Sequence, residues 1–319
     1  MPHSFQNQAF GLRSKSFLGW VRIAFGIVLV VAAGRHLISG LKQLEGQRIS
    51  FSALPLAVAA ALYVGGMVSF ASFWRLIVQG LGKQLGVIDS YGAYFVSQLG
   101  KYIPGKAWVL LIRCGILSRP VITRAEIVAS SLYETLAVMA AGSITAVLTL
   151  SLSRSVRPVM VWMALALACG FAVVIQPWIF DKLLTIGMWP FQRFRAEPIP
   201  RVTYATLLKG SRRLILGWAM VGLSLSAVAR GLGFPLANAS IVFLLCGSMA
   251  LSITGGFMIL VVPAGLGVRE WILVQTLSPV FGVGNAVLLA VASRALNILT
   301  EIVAAGGLFI VSRWHATHD

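Results

Sequence analysis

The stretch FSALPLAVAAALYVGGMVSFASF, residues 51–73, decides the fold class because it holds 23 consecutive residues without a charged side chain. A helix that crosses a bilayer needs about 20 predominantly apolar residues. At a rise of about 1.5 Å per residue, a helix of this length exceeds the roughly 30 Å of a hydrocarbon layer. We therefore interpret residues 51–73 as a membrane-spanning helix.

The composition of the whole chain supports the same interpretation. Of its 319 residues, 58% are hydrophobic and only 11% are charged, whereas soluble domains usually carry about 25% charged residues. So few charged side chains cannot surround this much apolar surface with a polar shell. The composition predicts an all-α, polytopic membrane protein with a single integral membrane domain over residues 1–319.

Apolar segments on both sides of residues 51–73 raise the predicted number of crossings to eight. The other seven predicted segments are 17–34, 127–153, 159–175, 214–234, 236–268, 271–293 and 286–312. The first has a short charge-free part and follows Arg13 and Lys15, so a cleaved signal peptide is the alternative for it.

Basic residues predict the orientation of these segments. The chain has 26 Lys+Arg against 9 Asp+Glu, a net charge of +17. With the N-terminus inside, eighteen of the basic residues are cytoplasmic, among them Lys101, Arg113 and Arg269, six are external, and two lie within predicted spans. This asymmetry is the one that the positive-inside rule requires. We predict cytoplasmic termini in a bacterial inner membrane, and a cytoplasmic loop 181–213 between halves 15–176 and 214–312. The positive charge then attracts anionic lipids rather than nucleic acid.

The segment QLGKYIPGKAW, residues 98–108, matches most of a phosphate-binding loop. A nucleotide site is excluded because Ala107 has no hydroxyl for Mg²⁺ and Pro104 has no backbone N–H, and no cofactor or metal is expected. The segment instead favours a short helix, a break at Pro104 and Gly105, and a second short helix. Lys101 and Lys106 flank the break, in a re-entrant element or, alternatively, in an interfacial helix on lipid headgroups.

A second interrupted segment occurs in the other half. The uncharged run 236–268 is too long for one straight crossing, so it must tilt or break at Gly255, Gly256 or Pro263. Pro263, Gly265 and Gly267 precede the charged pair Arg269 and Glu270 in LVVPAGLGVREW, residues 260–271. Paired broken segments in two halves are typical of transporter binding sites, which suggests two pseudo-repeated halves.

Ionisable residues inside the predicted spans are candidates for the site, because charge is costly in hydrocarbon. Arg294, Asn297 and Glu301 share one helix face. One interpretation is a structural ion pair between Glu134 and either Arg294 or Arg269. The other is a headgroup site in which cationic side chains bind phosphate and a carboxylate serves as counter-charge or proton carrier. Its candidate residues are Lys101, Lys106, Glu134, Arg269, Glu270, Arg294, Asn297 and Glu301.

The two motifs QLGKYIPGKAW and PAGLGVREW together resemble the transmembrane domain of lysylphosphatidylglycerol synthases of the multiple-peptide-resistance type, and the related stand-alone flippase-like membrane proteins. The likeness extends over roughly residues 15–312. It implies a helical domain that moves an anionic or modified lipid between leaflets. The chain lacks the aminoacyl-transfer domain of the full synthases, so we expect no lipid aminoacylation by this chain alone. Ala264 stands where the family often has Gly.

Three functions are compatible with these observations. The first is a lipid translocator for an anionic, aminoacylated, polyprenyl- or hopanoid-type lipid. The second is an accessory subunit that presents a lipid to a separate glycosyltransferase or synthase. The third is an intramembrane transferase, which is disfavoured because no catalytic constellation is recognisable in the sequence. Membrane lipids are the expected partners in the first two, and the sequence does not indicate an oligomeric state.

Overall fold

The computed structural model describes residues 51–103, 107–117, 122–153, 155–176, 178–180, 182, 204–259 and 262–316. Within these ranges every regular element is helical and no strand occurs, which confirms the all-α class. The predicted first crossing, with its signal-peptide alternative, lies outside the described residues. The same holds for Pro104, Gly105 and Lys106.

The described part of the chain contains the following α-helices: α1 (Ala53–Gly80), α2 (Val87–Gln98), α3 (Ala107–Leu117), α4 (Arg124–Ser151), α5 (Pro158–Val174), α6 (Tyr204–Gly231), α7 (Ala239–Met258), α8 (Val268–Phe281) and α9 (Val283–Ala316). Two 3₁₀ turns, Leu99–Tyr102 and Pro263–Gly265, lie between helices. Helices α1, α4, α6, α7 and α9 are long and apolar enough to cross a membrane, whereas α3 and α5 are shorter apolar helices. The protein is therefore an integral membrane protein, and the number of eight crossings stays a prediction.

Local sequence signals explain several helix ends. Helix α4 begins after Thr123, whose side chain accepts from Glu126 N while the Glu126 carboxylate accepts from Thr123 N. This reciprocal pairing satisfies two backbone donors that the helix leaves free. Helix α5 begins at Pro158, where a missing N–H costs nothing.

Two predicted boundaries were wrong, and the predicted break in residues 236–268 occurs at Pro263 and not at the other candidate point, Gly255 and Gly256. The end of the predicted loop 181–213 is helical, because α6 begins at Tyr204 and is continuous with the apolar run that follows. Gly255 and Gly256 lie inside α7, so that helix does not break there. The predicted crossing 271–293 is divided by Gly282, whose φ of +79° ends α8 before α9 begins.

Helices α1 and α6 pack closely against each other over most of their length. The two helices are antiparallel, because Ser52 N donates to Gly231 O at 2.8 Å at one end and Gly80 faces Thr206 at the other. A Cβ at Gly217 would lie 2.4 Å from the Phe70 ring. Small residues at such crossings let helix backbones approach, and dispersion contacts then stabilise the pair in lipid.

Candidate functional site

The first broken segment follows α2 directly. The helix tightens into the 3₁₀ turn Leu99–Tyr102 and ends, because Ile103 is extended at φ −84° and ψ 136°. Helix α3 begins four residues later at Ala107. The chain therefore runs as a short helix, an interruption and a second short helix, as the sequence predicts.

The second broken segment separates α7 from α8. After Met258 the backbone is extended at Ile259, and the 3₁₀ turn Pro263–Gly265 follows. Ala264 has φ +48°, a left-handed conformation that L-residues other than glycine rarely adopt. Gly265 and Gly267 also have positive φ values, +65° and +85°, which glycine adopts at little cost.

The two 3₁₀ turns contact each other, so both interruptions lie at one place in the bundle. Gly256 of α7 makes room for the second turn, because a Cβ on Gly265 would lie 2.9 Å from Gly256 O. A Cβ on Gly256 would lie 2.4 Å from the Arg269 Cγ. The side chain of Arg269 therefore packs across Gly256, beside the meeting point of the breaks.

Glu301 of α9 connects the first broken segment to the rest of the bundle through hydrogen bonds. Its Oε1 accepts from Lys101 Nζ at 2.6 Å and from the hydroxyl of Tyr63 on α1. Its Oε2 accepts from the Tyr102 hydroxyl at 2.9 Å. The carboxylate is buried and both oxygens are occupied, so Glu301 holds α1, α9 and the first 3₁₀ turn together.

Arg294, two helical turns before Glu301, contacts the second break. Its Nη2 donates to Ala264 O at 3.2 Å, and its Nε lies 3.6 Å from Glu270 Oε1. The Glu270 Oε2 accepts from Gly267 N at 2.6 Å. The Arg294 guanidinium also lies 5.9 Å from the centroid of the Tyr102 ring. One arginine therefore contacts both broken segments.

Several polar atoms at this place lack a partner. Arg294 Nε and Nη1 and both polar atoms of the Asn297 side chain form no hydrogen bond within the described residues. Asn297 is 2% exposed and the Arg294 side chain is 11% exposed. Unpaired buried polar groups cost about 1–3 kcal/mol each, so these atoms are candidates for contacts with a ligand.

We define the junction cluster as these side chains around the two 3₁₀ turns: Tyr63, Lys101, Tyr102, Arg269, Glu270, Arg294, Asn297 and Glu301. Arg269 interacts electrostatically with Lys101 and Arg294, and it makes no ion pair with a carboxylate of the described residues. Three cationic side chains face two carboxylates, so the cluster has an excess of one positive charge.

The cluster lies near the middle of the bundle. Tyr63 is ten residues after the first residue of α1, and Arg294 is eleven residues after the first residue of α9. At about 1.5 Å per residue, both side chains lie roughly 15 Å from the helix ends. Ring contact between Phe234 and Phe281 places the end of α8 beside the end of α6.

The predicted pairing of Glu134 with Arg294 or Arg269 was wrong. Glu134 Oε2 lies 3.6 Å from the Nη1 of Arg113 on α3, and its Oε1 accepts from the Tyr94 hydroxyl at 3.2 Å. The physical reason is proximity, because α3 packs directly on α4 whereas Arg294 turns toward Glu270. Glu134 therefore belongs to a second buried cluster.

Arg113 is the centre of that second cluster and is 1% exposed. Its Nε donates to Ser97 Oγ and its Nη1 to Ser131 Oγ, both at 3.0 Å. The Trp74 and Tyr94 rings lie 4.5 and 4.8 Å from its guanidinium carbon. Flat aromatic faces and neutral acceptors stabilise a buried guanidinium without a strong ion pair.

Sequence analysis missed Arg113 because it counted this residue among the cytoplasmic loop charges. The apolar flanks of Arg113 in AWVLLIRCGIL are the signal that it is buried. The sequence analysis also missed Tyr63, Tyr94 and Tyr102, whose hydroxyls bond to buried carboxylates. An aromatic residue in an apolar helix shows no pattern that distinguishes a hydrogen-bonding role from packing. Lys101, Arg269, Glu270, Arg294, Asn297 and Glu301 were named in advance, and the structure brings them together around the two breaks.

The family model of the lysylphosphatidylglycerol synthase transmembrane region matches residues 19–305, which include all the described helices up to most of α9. No curated protein matches the chain.

Proposed function

The chain belongs to the family of the lysylphosphatidylglycerol synthase transmembrane region, and we propose that it is a lipid translocator whose junction cluster binds the lipid headgroup. Membership in the family indicates a membrane lipid-related role. Translocation and headgroup binding go beyond that role. They rest on the contacts of the junction cluster.

The observation that carries the proposal is the pair of unpaired buried groups on α9. Arg294 Nη1 and both polar atoms of the Asn297 amide have no hydrogen-bond partner among the described residues, and Arg294 Nε has only its 3.6 Å contact with Glu270 Oε1. A guanidinium binds phosphate through parallel N–H donors, and such charge-assisted bonds are stronger than neutral ones. A phosphate headgroup supplies acceptors to these atoms and neutralises the positive excess of the cluster.

The backbone around the cluster supports transport rather than simple anchoring. Non-helical backbone at membrane depth survives only where protein buries it or where it lines a cavity. Here the two interruptions contact each other, and both contact α9, the second through the hydrogen bond from Arg294 to Ala264 O. Discontinuous segments that meet near the midplane are the usual architecture of substrate sites in secondary transporters. We propose that a headgroup bound there is in transit between the two leaflets.

We propose binding and movement of lipid without covalent chemistry. Glu301 is occupied by three donors and Glu270 by the Gly267 N–H and Arg294. An acid–base role would require one of them to exchange these partners.

The test is transport by the purified protein in liposomes. Fluorescent phosphatidylglycerol is placed in both leaflets, and a membrane-impermeant quencher measures how fast the inner pool becomes accessible. We expect wild type to accelerate the exchange and Arg294→Gln to slow it at least about tenfold, because a charge-assisted hydrogen bond contributes about 1.5–3 kcal/mol. Arg230→Gln is the matched control, since Arg230 is an exposed arginine at the end of α6.

Absence of lipid movement by wild type, or equal rates for the two variants, would contradict the proposal. The alternative function has its own signature in the same experiment. If the protein moves no lipid alone but stimulates an added lipid-dependent glycosyltransferase or synthase, it is an accessory subunit that presents lipid.

A further inference from the structure

The two broken segments enter the bundle from opposite sides, and their tips are held with unequal strength. Building on the proposed function, we infer that the tip of the second segment, residues 262–270, is a movable gate of the junction cluster, and that Arg294 holds this gate closed. Three features support the inference: the topology of the two segments, the contacts of their tips, and the backbone conformation of Ala264.

The first broken segment is a hairpin, α2 with α3, that enters and leaves on one side of the bundle. Residues 81–86 connect α1 to α2, and a Cβ on Gly80 at the end of α1 would lie 3.0 Å from Thr206 Oγ1 near the start of α6. Lys83 in this connection lies 3.5 Å from Glu126 at the start of α4, so α3 returns to the side where α2 begins. We call it the Tyr204 side, after the first residue of α6.

The second broken segment is a hairpin, α7 with α8, that enters and leaves on the opposite side. Helix α7 begins at Ala239, shortly after α6 ends at Gly231. The Phe281 ring at the end of α8 lies 5.6 Å from the Phe234 ring, so α8 returns to this Gly231 side. The 3₁₀ turns of the two hairpins contact each other. Each hairpin therefore covers the junction cluster from its own side.

The first hairpin is held at several independent points. Lys101 and Tyr102 both donate to Glu301, at 2.6 and 2.9 Å. In the other arm of the hairpin, Arg113 donates to Ser131 of α4 at 3.0 Å. A displacement of this hairpin would break these bonds together, so we assign it as the fixed one.

The tip of the second hairpin is held to α9 by a single side chain. Arg294 Nη2 donates to Ala264 O at 3.2 Å, and Arg294 Nε lies 3.6 Å from Glu270 Oε1. The second distance is longer than a hydrogen bond. Glu270 also accepts from Gly267 N at 2.6 Å, so its carboxylate belongs to the tip and moves with it. Loss of the Arg294 contacts therefore releases the tip from both of these polar contacts with α9.

The backbone of Ala264 favours release of the tip. Its φ of +48° is in the left-handed region, which is unfavourable for L-residues other than glycine. Strained backbone of this kind persists only where its surroundings enforce it. The carbonyl that accepts from Arg294 belongs to this residue. When that bond breaks, Ala264 can return to negative φ, which lowers the free energy of the open tip relative to the closed one.

The reactivity of a buried cysteine measures the opening of the gate. Val262 in the tip is 1% exposed, and Ala93 on α2 in the first hairpin is 0% exposed. Each is replaced by cysteine in the purified full-length protein, reconstituted in nanodiscs, with the native cysteines removed. Labelling by a water-soluble maleimide then follows the population of the open form. We expect Val262→Cys to react at least about tenfold faster than Ala93→Cys, and equal rates would overturn the inference.

Two further substitutions test how the gate is held. Glu270→Gln removes the charge that faces Arg294 and should accelerate the labelling of Val262→Cys about tenfold, because charge-assisted contacts are stronger than neutral ones. Ala264→Gly should slow it about threefold, because glycine removes the strain of the closed tip. An unchanged rate in either variant would overturn the role assigned to the substituted residue.

A second glutamate provides the matched control. Glu126 also caps a helix from its third position and also faces a cation, Lys83, but it lies at the start of α4. Glu126→Gln should therefore leave the labelling of Val262→Cys unchanged. Ala93→Cys should stay slow in every variant, because fast labelling there would show general unfolding of the bundle in place of movement of the tip.

The outcomes separate the gate from the proposed function. If the protein moves lipid in liposomes but Val262→Cys reacts no faster than Ala93→Cys, the gate is wrong and the translocator proposal survives. If the cysteines react as expected in a protein that moves no lipid, the gate is correct and the proposed function is wrong.

Discussion

Two charged residues on one face of α9 have opposite surroundings, and the difference defines their roles. Glu301 is surrounded by three donors from two other elements, so its position is fixed by the protein itself. Arg294 has one hydrogen bond, to Ala264 O, and a long contact to Glu270. At the scale of the residue, Glu301 is a structural anchor, and Arg294 is the group that we propose binds the ligand.

A double substitution separates the structural and ligand-binding roles of Arg294. Arg294→Gln leaves Glu270 buried without its cation, which typically costs about 3–5 kcal/mol. Adding Glu270→Gln removes the stranded charge, so thermal unfolding of the double variant should return toward wild type. Transport per folded molecule should stay low in both variants, and Arg294→Lys should restore it in part because charge is kept without the planar fork. Full transport by the double variant would assign Arg294 a purely structural role.

Arg113 and Glu134 should behave in the opposite way. Arg113→Gln is expected to lower the free energy of unfolding by about 3–5 kcal/mol, because it leaves the Glu134 carboxylate buried opposite a neutral group. The variant with both Arg113→Gln and Glu134→Gln should recover most of that loss. Lipid movement, measured per folded molecule, should match wild type in the double variant. A transport defect that persists at normal stability would place this pair in the transport pathway.

The sequence identifies buried charged residues but not their partners. The free-energy cost of a charge in hydrocarbon was enough to identify Glu134, Arg294 and Glu301 as candidate site residues. Their partners depend on which helices pack together, and sequence spacing does not contain that information. Glu134 was therefore assigned to the wrong arginine.

At the scale of the element, each half contains one buried ion pair between a short helix and a long helix. The sign of the charge on the short helix is opposite in the two halves. In each half a helix that follows a break pairs with the long helix after it. Arg113 of α3 pairs with Glu134 of α4, and Glu270 of α8 pairs with Arg294 of α9. The repeat of the two halves stays a prediction, and this reversed pairing agrees with it.

Close contact between the second break and α7 gives a prediction at this scale. Gly256→Leu should displace the 3₁₀ turn Pro263–Gly265, because even a Cβ at Gly256 would meet Arg269 and the turn. Overpacking of this kind costs about 1–3 kcal/mol, and we expect transport to fall more than the amount of folded protein. Gly306→Leu is the control, since nothing lies within 4 Å of a Cβ there. Equal transport by the two variants would show that the geometry of the break is unimportant.

Helix interruptions were predictable because their causes are local. Proline removes a backbone donor, and glycine adopts positive φ, so PAGLG marks a break in any context. The position of the second break was predicted less well, because the paired glycines Gly255 and Gly256 were also candidates. In the structure these glycines serve close packing inside α7, a tertiary role that the sequence does not distinguish from a hinge.

At the scale of the whole molecule, the predicted orientation depends on the number of basic residues on each side of the membrane. Three residues in that count lie in buried clusters and not in loops. Lys101, Arg113 and Arg269 were counted as cytoplasmic, yet two of them are bonded to buried carboxylates and Arg269 belongs to the junction cluster. Removing them leaves fifteen cytoplasmic basic residues against six external ones. The excess still predicts cytoplasmic termini.

Cysteine labelling in intact cells tests this orientation. In a variant whose native cysteines are replaced, Lys209→Cys at the start of α6 should react only after the membrane is permeabilised. Arg157→Cys and Arg230→Cys should react with an impermeant reagent from outside. The three positions are exposed, and α6 carries Lys209 and Arg230 near its opposite ends. Labelling of Lys209→Cys from outside would reverse the topology.

The most direct test of the central claim is an experimental structure of the protein in nanodiscs that contain phosphatidylglycerol. We predict density for a phosphate group between the two 3₁₀ turns, within hydrogen-bond distance, about 2.7–3.2 Å, of Arg294 Nη1 and beside the Asn297 amide. Protein groups or water that satisfy both side chains, with lipid phosphates confined to the two membrane surfaces, would contradict the account.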